Sequence, residues 1–310
     1  MESYYAGVDI GGTKTAVGLF DSRREPVQVA VMPTNAAEGC HRLTQRIGDQ
    51  FRRLLDTCGV PPNQVVAAGA ASPGPLDLKK GRIVYIPTMG FRDEPLRDPL
   101  VQELGVPVYL QNDANAAALC ESRIGAGQGM DTVVYITVST GIGCGVVIGG
   151  HIQNGAWDAA GELGHLCTQR GGRLCACGKQ GCLEAYASGT AIAAIASERT
   201  GERLDAREVC RRAALGSGTE REVLREAADH LGYAVAAVYQ LLDPDVVVLG
   251  GSVTRDYQVF REPLEQAAAR YMQAAPGREP RLCVSRFDGE QVLRGAVWYA
   301  CQQHEAAENR

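Results

Sequence analysis

No dense run of Lys or Arg offsets the formal net charge of −5, which argues against a chain that grips nucleic acid or an anionic membrane. The opening residues MESYYAGVDIGG lack the basic, apolar and small-residue succession of a secretory signal peptide. No Pro- or Ser-rich stretch marks a linker, so two domains would share a tight hinge. An uncharged run extends from Thr132 to Trp157, long enough by count for a membrane helix. Thr132, Thr137, Ser139, Thr140, His151, Gln153, Asn154 and six glycines interrupt it, and two strands joined by a Gly turn fit it better. A soluble, cytoplasmic protein without a membrane or nucleic-acid partner is expected, and a disulfide framework is not.

What is present is an ordinary globular composition. The 310 residues, 45% hydrophobic and 22% charged, suit two domains or one large one with a core that needs no cross-links. Tyr4–Ile10, Thr15–Phe20 and Val27–Val31 read as an antiparallel meander. Leu43, Ile47, Phe51, Leu54 and Leu55 follow helical spacing between Glu38 and Cys58, with Gly59 placed to stop the helix. Val65–Ala70 and Val106–Leu110 look like buried strands, and Ala114–Ile124 like a helix. Strands are expected again at Thr132–Val138, Cys144–Ile148 and VVVLGG (246–251). A helix with a Thr219/Glu222 capping box runs up to Pro244, and another covers Gln291–Gln302. VDIGGTKTAVGLF (8–20) and TVSTGIGCGVVI (137–148) share one plan of strand, Gly/Thr turn and strand, which points to a duplicated domain or to two unrelated turns.

Three clusters carry chemistry. Asp9-Ile10-Gly11-Gly12-Thr13-Lys14 is neither a P-loop nor a dinucleotide fingerprint, since strands flank it on both sides. It is either a plain hairpin turn or a phosphate cradle of backbone N–H groups, with Thr13 and Lys14 as added donors and Asp9 able to hold Mg²⁺. In Gln111-Asn112-Asp113-Ala114, Asp113 suits a helix N-cap and equally a general base at the carboxyl end of a strand.

The third cluster follows Gly161-Glu162-Leu163-Gly164-His165. Eleven cysteines is a high and odd count; eight are scattered singly, but Cys175, Cys177 and Cys182 are grouped. With His165 they supply one imidazole and three thiolates within eighteen residues, the donor set of a closed, structural Zn²⁺ site, with Cys167 as a fifth candidate. Free thiols in a loop are the alternative. A rigid loop would hold Glu162, His165 and Glu184 in fixed relation, able to bind hydroxyls, or these carboxylates simply face solvent.

DIGGTK, SPGPLD, QNDANAAAL, STGIGCGVVIGG, GELGH, CACGKQGCLEAYASGTAI and DPDVVVLGGSV occur in an order that resembles the ROK family of repressors, open reading frames and sugar kinases. The resemblance runs from about residue 5 to 300. It implies an α/β, duplicated actin-like (hexokinase-like, ribonuclease H-like) fold of two domains with ATP and sugar in the cleft between them. The expected boundaries are a small domain at 1–111, closed by a C-terminal helix at about 291–310, and a large one at 112–290 bearing a zinc loop at 165–182. Carried over by position, Gly11, Gly12 and Thr13 would embrace ATP phosphates, as would Thr140, Gly141 and Gly143, with Gly250 and Gly251 beside the adenosine. Asn112, Glu162, His165 and Glu184 would bind sugar hydroxyls next to Gly74, and Asp113 would be the base. His165, Cys175, Cys177 and Cys182 would hold Zn²⁺, leaving Cys167 free.

The sequence departs from the family pattern at Val138-Ser139, where many relatives have Leu-Gly, and at Thr88, where many have Asn near the sugar. The implied reaction is ATP-dependent phosphorylation of a hexose, at C6 of glucose or a relative, with N-acetylglucosamine or N-acetylmannosamine as alternative acceptors. A sugar sensor without catalysis is a further alternative. Repressors of the family carry a DNA-reading segment before the first Gly turn; Asp9 stands eight residues from the start, so a kinase is expected. A homodimer or homotetramer is implied by the family.

Overall fold

The computed structural model describes residues 3–273 and 279–309, with the backbone alone at 255–257. It contains two compact units, one of Met1–Cys120, Ile152–Ala160 and Phe287–Arg310, the other of Glu121–His151 and Gly161–Arg286.

The first unit opens with β1 (Tyr4–Ile10), β2 (Lys14–Phe20) and β3 (Pro26–Pro33), the meander that the β-rich runs predict. Helix α1 (Cys40–Cys58) ends at Gly59 and buries Leu43, Ile47, Phe51, Leu54 and Leu55, the stripe that its 3.6-residue spacing places on one face. β4 (Val65–Ser72) then pairs in parallel with β1. A small antiparallel sheet of β5 (Leu76–Asp77), β6 (Arg82–Ile86) and β7 (Phe91–Pro95) comes next, unforeseen in the sequence. After α2 (Arg97–Leu104), β8 (Val108–Asn112) joins β4 in parallel, and α3 (Asp113–Ile124) starts at its carboxyl end. The main sheet has the order β3-β2-β1-β4-β8.

The second unit repeats the plan. β9 (Thr132–Val138) and β10 (Ile142–Ile148) form a tight antiparallel pair, and β11 (His151–Ile152) adds the edge. Helices α4 (Glu184–Ala187), α5 (Gly189–Thr200), α6 (Ala206–Ala214) and α7 (Gly218–Leu242) lead to β12 (Val246–Gly250). Beyond it lie α8 (Tyr257–Tyr271) and β13 (Leu282–Val284). Strand order is β11-β10-β9-β12-β13, with β12 parallel to both β9 and β13. The order matches the first sheet, and β10, β9, β12 and β13 run in the same relative directions as β2, β1, β4 and β8, so the echo between residues 8–20 and 137–148 reflects a duplicated fold.

One local expectation fails. The Thr219/Glu222 capping box does not form, because α7 begins two residues earlier than that box would place it, with Ser217 at its N-cap. The Ser217 hydroxyl donates to the carboxylate of buried Glu220, a side-chain pair two positions upstream, and makes no bond to the backbone of the first turn.

The last helix, α9 (Gln291–Glu308), returns to the first unit. Leu293, Val297 and Cys301 bury against Phe20, and Ala296 against Ala71 and Ala116. The helix backbone approaches so closely that a Cβ on Gly69 would collide with the Ala296 carbonyl. No helix among the described residues is long and apolar enough to cross a membrane.

Candidate active site

The β1–β2 connection is held by hydrogen bonds of its own neighbourhood. Gly11 N donates to Lys14 O at 2.9 Å, closing the turn, and a Cβ on Gly11 would lie 2.8 Å from that same oxygen. Thr34, fully buried beyond the end of β3, donates its hydroxyl to Gly11 O at 2.7 Å, and its N–H to Thr13 O at 2.9 Å. Its Oγ1 also lies 2.9 Å from Thr15 Oγ1. Gly12, Thr13 and Lys14 are thereby left exposed on a fixed backbone. Nothing in the sequence marked Thr34. A Cβ placed on Gly12 would sit 4.0 Å from Thr88 Oγ1, which brings the family departure at Thr88 beside this turn.

Asp9 is the last but one residue of β1, beside the turn and partly buried. Burial, followed by the like charge of Asp113, pushes its carboxyl up to about 7. Asp113 is the first residue of α3. The preceding Asn112 takes the N-cap role considered for Asp113: its Oδ1 accepts from Ala114 N at 2.9 Å and from Asn115 N at 3.3 Å. Asp113 Oδ1 accepts from Ala114 N at 2.8 Å. With its oxygen so engaged, Asn112 has its Nδ2 to offer a ligand, and a Cβ on Gly74 would lie 3.3 Å from that nitrogen. Behind them Gln111 and Asn115 are buried, with Asn115 Nδ2 donating to Gln111 Oε1 at 3.2 Å and to Asn154 Oδ1 at 3.3 Å.

In the second unit the β9–β10 turn has a different brace. Ser139 N donates to Gly141 O at 2.9 Å. Gly189 N donates to Ser139 O at 2.7 Å, and Thr190 Oγ1 to Thr140 O at 2.8 Å, both from the start of α5. Glu184 Oε2 accepts from Ile142 N at 2.8 Å, and a Cβ on Gly141 would come 2.5 Å from that oxygen. Ser139 Oγ lies 3.1 Å from Ser252 Oγ, which links this turn to the one after β12, where Thr254 Oγ1 donates to Gly251 O at 2.8 Å. Gly250 pairs with Thr137, and Gly143 lies opposite Thr137 on β10. The serine at 139 thus has a structural partner where many relatives have glycine.

His165, Cys175, Cys177 and Cys182 come together with their ligand atoms all within 4.8 Å of one another. Cys177 Sγ is 3.6 Å from Cys182 Sγ, and Cys175 Sγ is 3.8 Å from His165 Nδ1. Ordinary Zn–S and Zn–N bond lengths give tetrahedral edges of about 3.5–3.8 Å, so the donor set fits Zn²⁺ in both type and spacing. Burial pushes Cys182 up to about 12 in the absence of a metal charge. His165 Nε2, the other ring nitrogen, lies 3.8 Å from Glu162 Oε2, within ion-pair reach but beyond a hydrogen bond. Cys167 stands outside the four.

The sequence-predicted residues therefore divide between the units. Asp9, Gly11, Gly12, Thr13, Lys14, Gly74, Asn112 and Asp113 belong to the first; Thr140, Gly141, Gly143, Glu162, His165, Glu184, Gly250, Gly251 and the cysteines belong to the second.

A glucokinase of Halalkalibacterium halodurans is 33% identical over 99% of this chain and 98% of its own. An N-acetylmannosamine kinase of Salmonella typhi is 32% identical over 94% of this chain and 97% of its own. Of solved structures, a ROK hexokinase from Thermus thermophilus superposes with a TM-score of 0.85 at 36% identity, covering 99% of this chain and 100% of that one. A ROK family glucokinase from Streptomyces griseus, in complex with glucose and AMPPNP, gives 0.80 at 31% identity, covering 97% and 100%. The ROK family model matches residues 5–303. A match of that extent places the whole duplicated fold at once: the chain belongs to the ROK family.

Proposed function

We propose that this protein is an ATP-dependent hexose kinase that transfers the γ-phosphoryl group to the C6 hydroxyl of glucose or a close relative. The observation that carries the reading is the carboxylate pair at the end of β1 and the start of α3. Asp9 is held near neutrality by burial and by the charge of Asp113, an arrangement that separates the two groups in role. Asp113 would take the proton of the attacking hydroxyl, and Asn112 Nδ2 would donate to a neighbouring hydroxyl to orient it. Asp9 would hold Mg²⁺ directly or through water, where that ion offsets phosphate charge. The turns at 11–13 and 140–143 would bind the phosphates, through the N–H groups of Gly12 and Thr13 and of Thr140 and Gly141, since Gly11 N and Ile142 N are spent on the turns themselves. His165, Cys175, Cys177 and Cys182 would hold a structural Zn²⁺, with Glu162 and Glu184 completing the sugar contacts. Supporting the substrate class are the glucokinase relative and the structural neighbour solved with glucose and AMPPNP.

Asp113→Asn tests the proposal. It keeps shape and removes the basic carboxylate, so ADP production with glucose should fall about 10²-fold or more while the circular dichroism stays unchanged. Turnover like that of the native enzyme would refute the assignment. The N-acetylmannosamine kinase relative, at nearly equal identity, supports a second acceptor class. Comparing kcat/KM for glucose, mannose and the N-acetylhexosamines decides between them.

A further inference from the structure

Cys167 is the thiol of this loop that the metal set leaves unused, and the backbone puts it in a defined place. Residues 167 and 182 form an antiparallel bridge. Thr168 N donates to Gly181 O at 2.8 Å and Leu183 N to Leu166 O at 2.8 Å, bonds that flank the pair. Cys167 and Cys182 are thus the non-hydrogen-bonded pair of the ladder, the position at which Cα atoms approach to about 4.5 Å and side chains share one face. That separation lies within the range a disulfide spans. Cys167 Sγ lies 3.1 Å from where a Cβ on Gly181 would be and donates to Gln180 O at 3.8 Å, so closure with Cys182 requires the Cys167 side chain to turn about its Cα–Cβ bond. Cys167 is exposed, whereas Cys182 is 1% exposed.

We propose that Cys167 and Cys182 are a thiol pair that closes to a disulfide under oxidation and so dismantles the metal site. The oxidant is a low-molecular-weight disulfide such as oxidised glutathione. The exposed Cys167 thiolate attacks it, forming a mixed disulfide and expelling one glutathione thiolate. The Cys182 thiolate then attacks the Cys167 sulfur and expels the second, so two protein thiols are oxidised and one glutathione disulfide is reduced to two thiols. Four donors become three, and a Zn²⁺ held there is released. Cys182 stands two residues before Glu184, whose carboxylate accepts from Ile142 N, so the reaction also reaches the β9–β10 turn.

Intact protein is treated with oxidised glutathione, zinc release is followed with a chromogenic chelator, and disulfides are mapped by mass spectrometry of the unreduced digest. The expected result is a 167–182 linkage formed in step with metal release, and release at least about tenfold slower in Cys167→Ser. Both readouts are independent of kinase activity, so failure of the proposed function leaves them intact. A linkage confined to Cys175, Cys177 and Cys182, or release from Cys167→Ser at the native rate, would overturn the pairing. Should the purified protein carry no zinc, the position of the disulfide alone decides in the same way.

Discussion

The two glycine turns occupy equivalent places in two sheets of identical order, yet they are braced by unlike means. Around Gly11 the support is a sheet neighbour: Thr34 spends its hydroxyl and its N–H on the turn within the same meander. Around Gly141 the support comes from α4 and α5, through Glu184, Gly189 and Thr190, and those helices follow directly on Cys182. Duplication preserved strand order, and bracing diverged. The first turn is self-contained, while the second hangs on a loop whose His165, Cys175, Cys177 and Cys182 are spaced to hold a metal.

Removing the metal set should therefore separate the two turns most sharply. Cys177→Ser is expected to lower zinc from one per chain to none by elemental analysis, and to cost about 3 kcal/mol or more of stability in denaturant titration. Hydrogen exchange should rise at residues 139–142 and stay unchanged at 11–14; equal loss at both would break the contrast. Next in size is Gly141→Ala, whose Cβ displaces the Glu184 carboxylate. Losing a charged acceptor for a buried N–H costs about 1–3 kcal/mol, read as a lowered midpoint in denaturant titration. Gly12→Ala, with nothing nearer than 4.0 Å, should shift stability by less than about 0.5 kcal/mol. Thr34→Val keeps volume but orphans Gly11 O and Thr15 Oγ1, costing about 1–2 kcal/mol of stability and no zinc.

A separate test is one of pH. Asp9 binds a proton more tightly in the fold than in the open chain, with its carboxyl near 7 against an ordinary 3.8. Between those values the folded state carries the extra proton, so stability is greatest at the acid end and declines as pH rises through 7. The limit is about 4 kcal/mol, and Asp9→Asn should abolish the slope in urea titrations compared between pH 5 and 8. Adding Mg²⁺ and nucleotide should flatten it in the native protein, and an unchanged slope in Asp9→Asn would assign it elsewhere.

The sequence was most legible where structure is local. Tyr4–Ile10 and Thr132–Val138 are apolar runs ended by glycine turns, and both strands have those bounds. The stripe from Leu43 to Leu55 is one helical face, and His165 with its three cysteines needed only short-range spacing to suggest their meeting. What stayed hidden is non-local. Thr34 reaches Gly11 across 23 positions and Glu184 reaches Ile142 across 42, pairings that no local pattern encodes. The small sheet of β5, β6 and β7 escaped notice because its strands of two to five residues carry too little alternation to stand out from turns. At the start of α7 the Thr219/Glu222 spacing misled because Ser217, paired through its side chain with buried Glu220, stands at the N-cap instead.

The return of α9 to the first unit bears on the order in which the protein matures on the ribosome. Most of the second sheet and its helices are translated before Leu293, Ala296 and Val297 emerge, yet Phe20, Ala71 and Ala116 have been waiting for those side chains since early in synthesis. The nascent first unit must hold an uncovered apolar face for most of translation, a window in which chaperones would find their client.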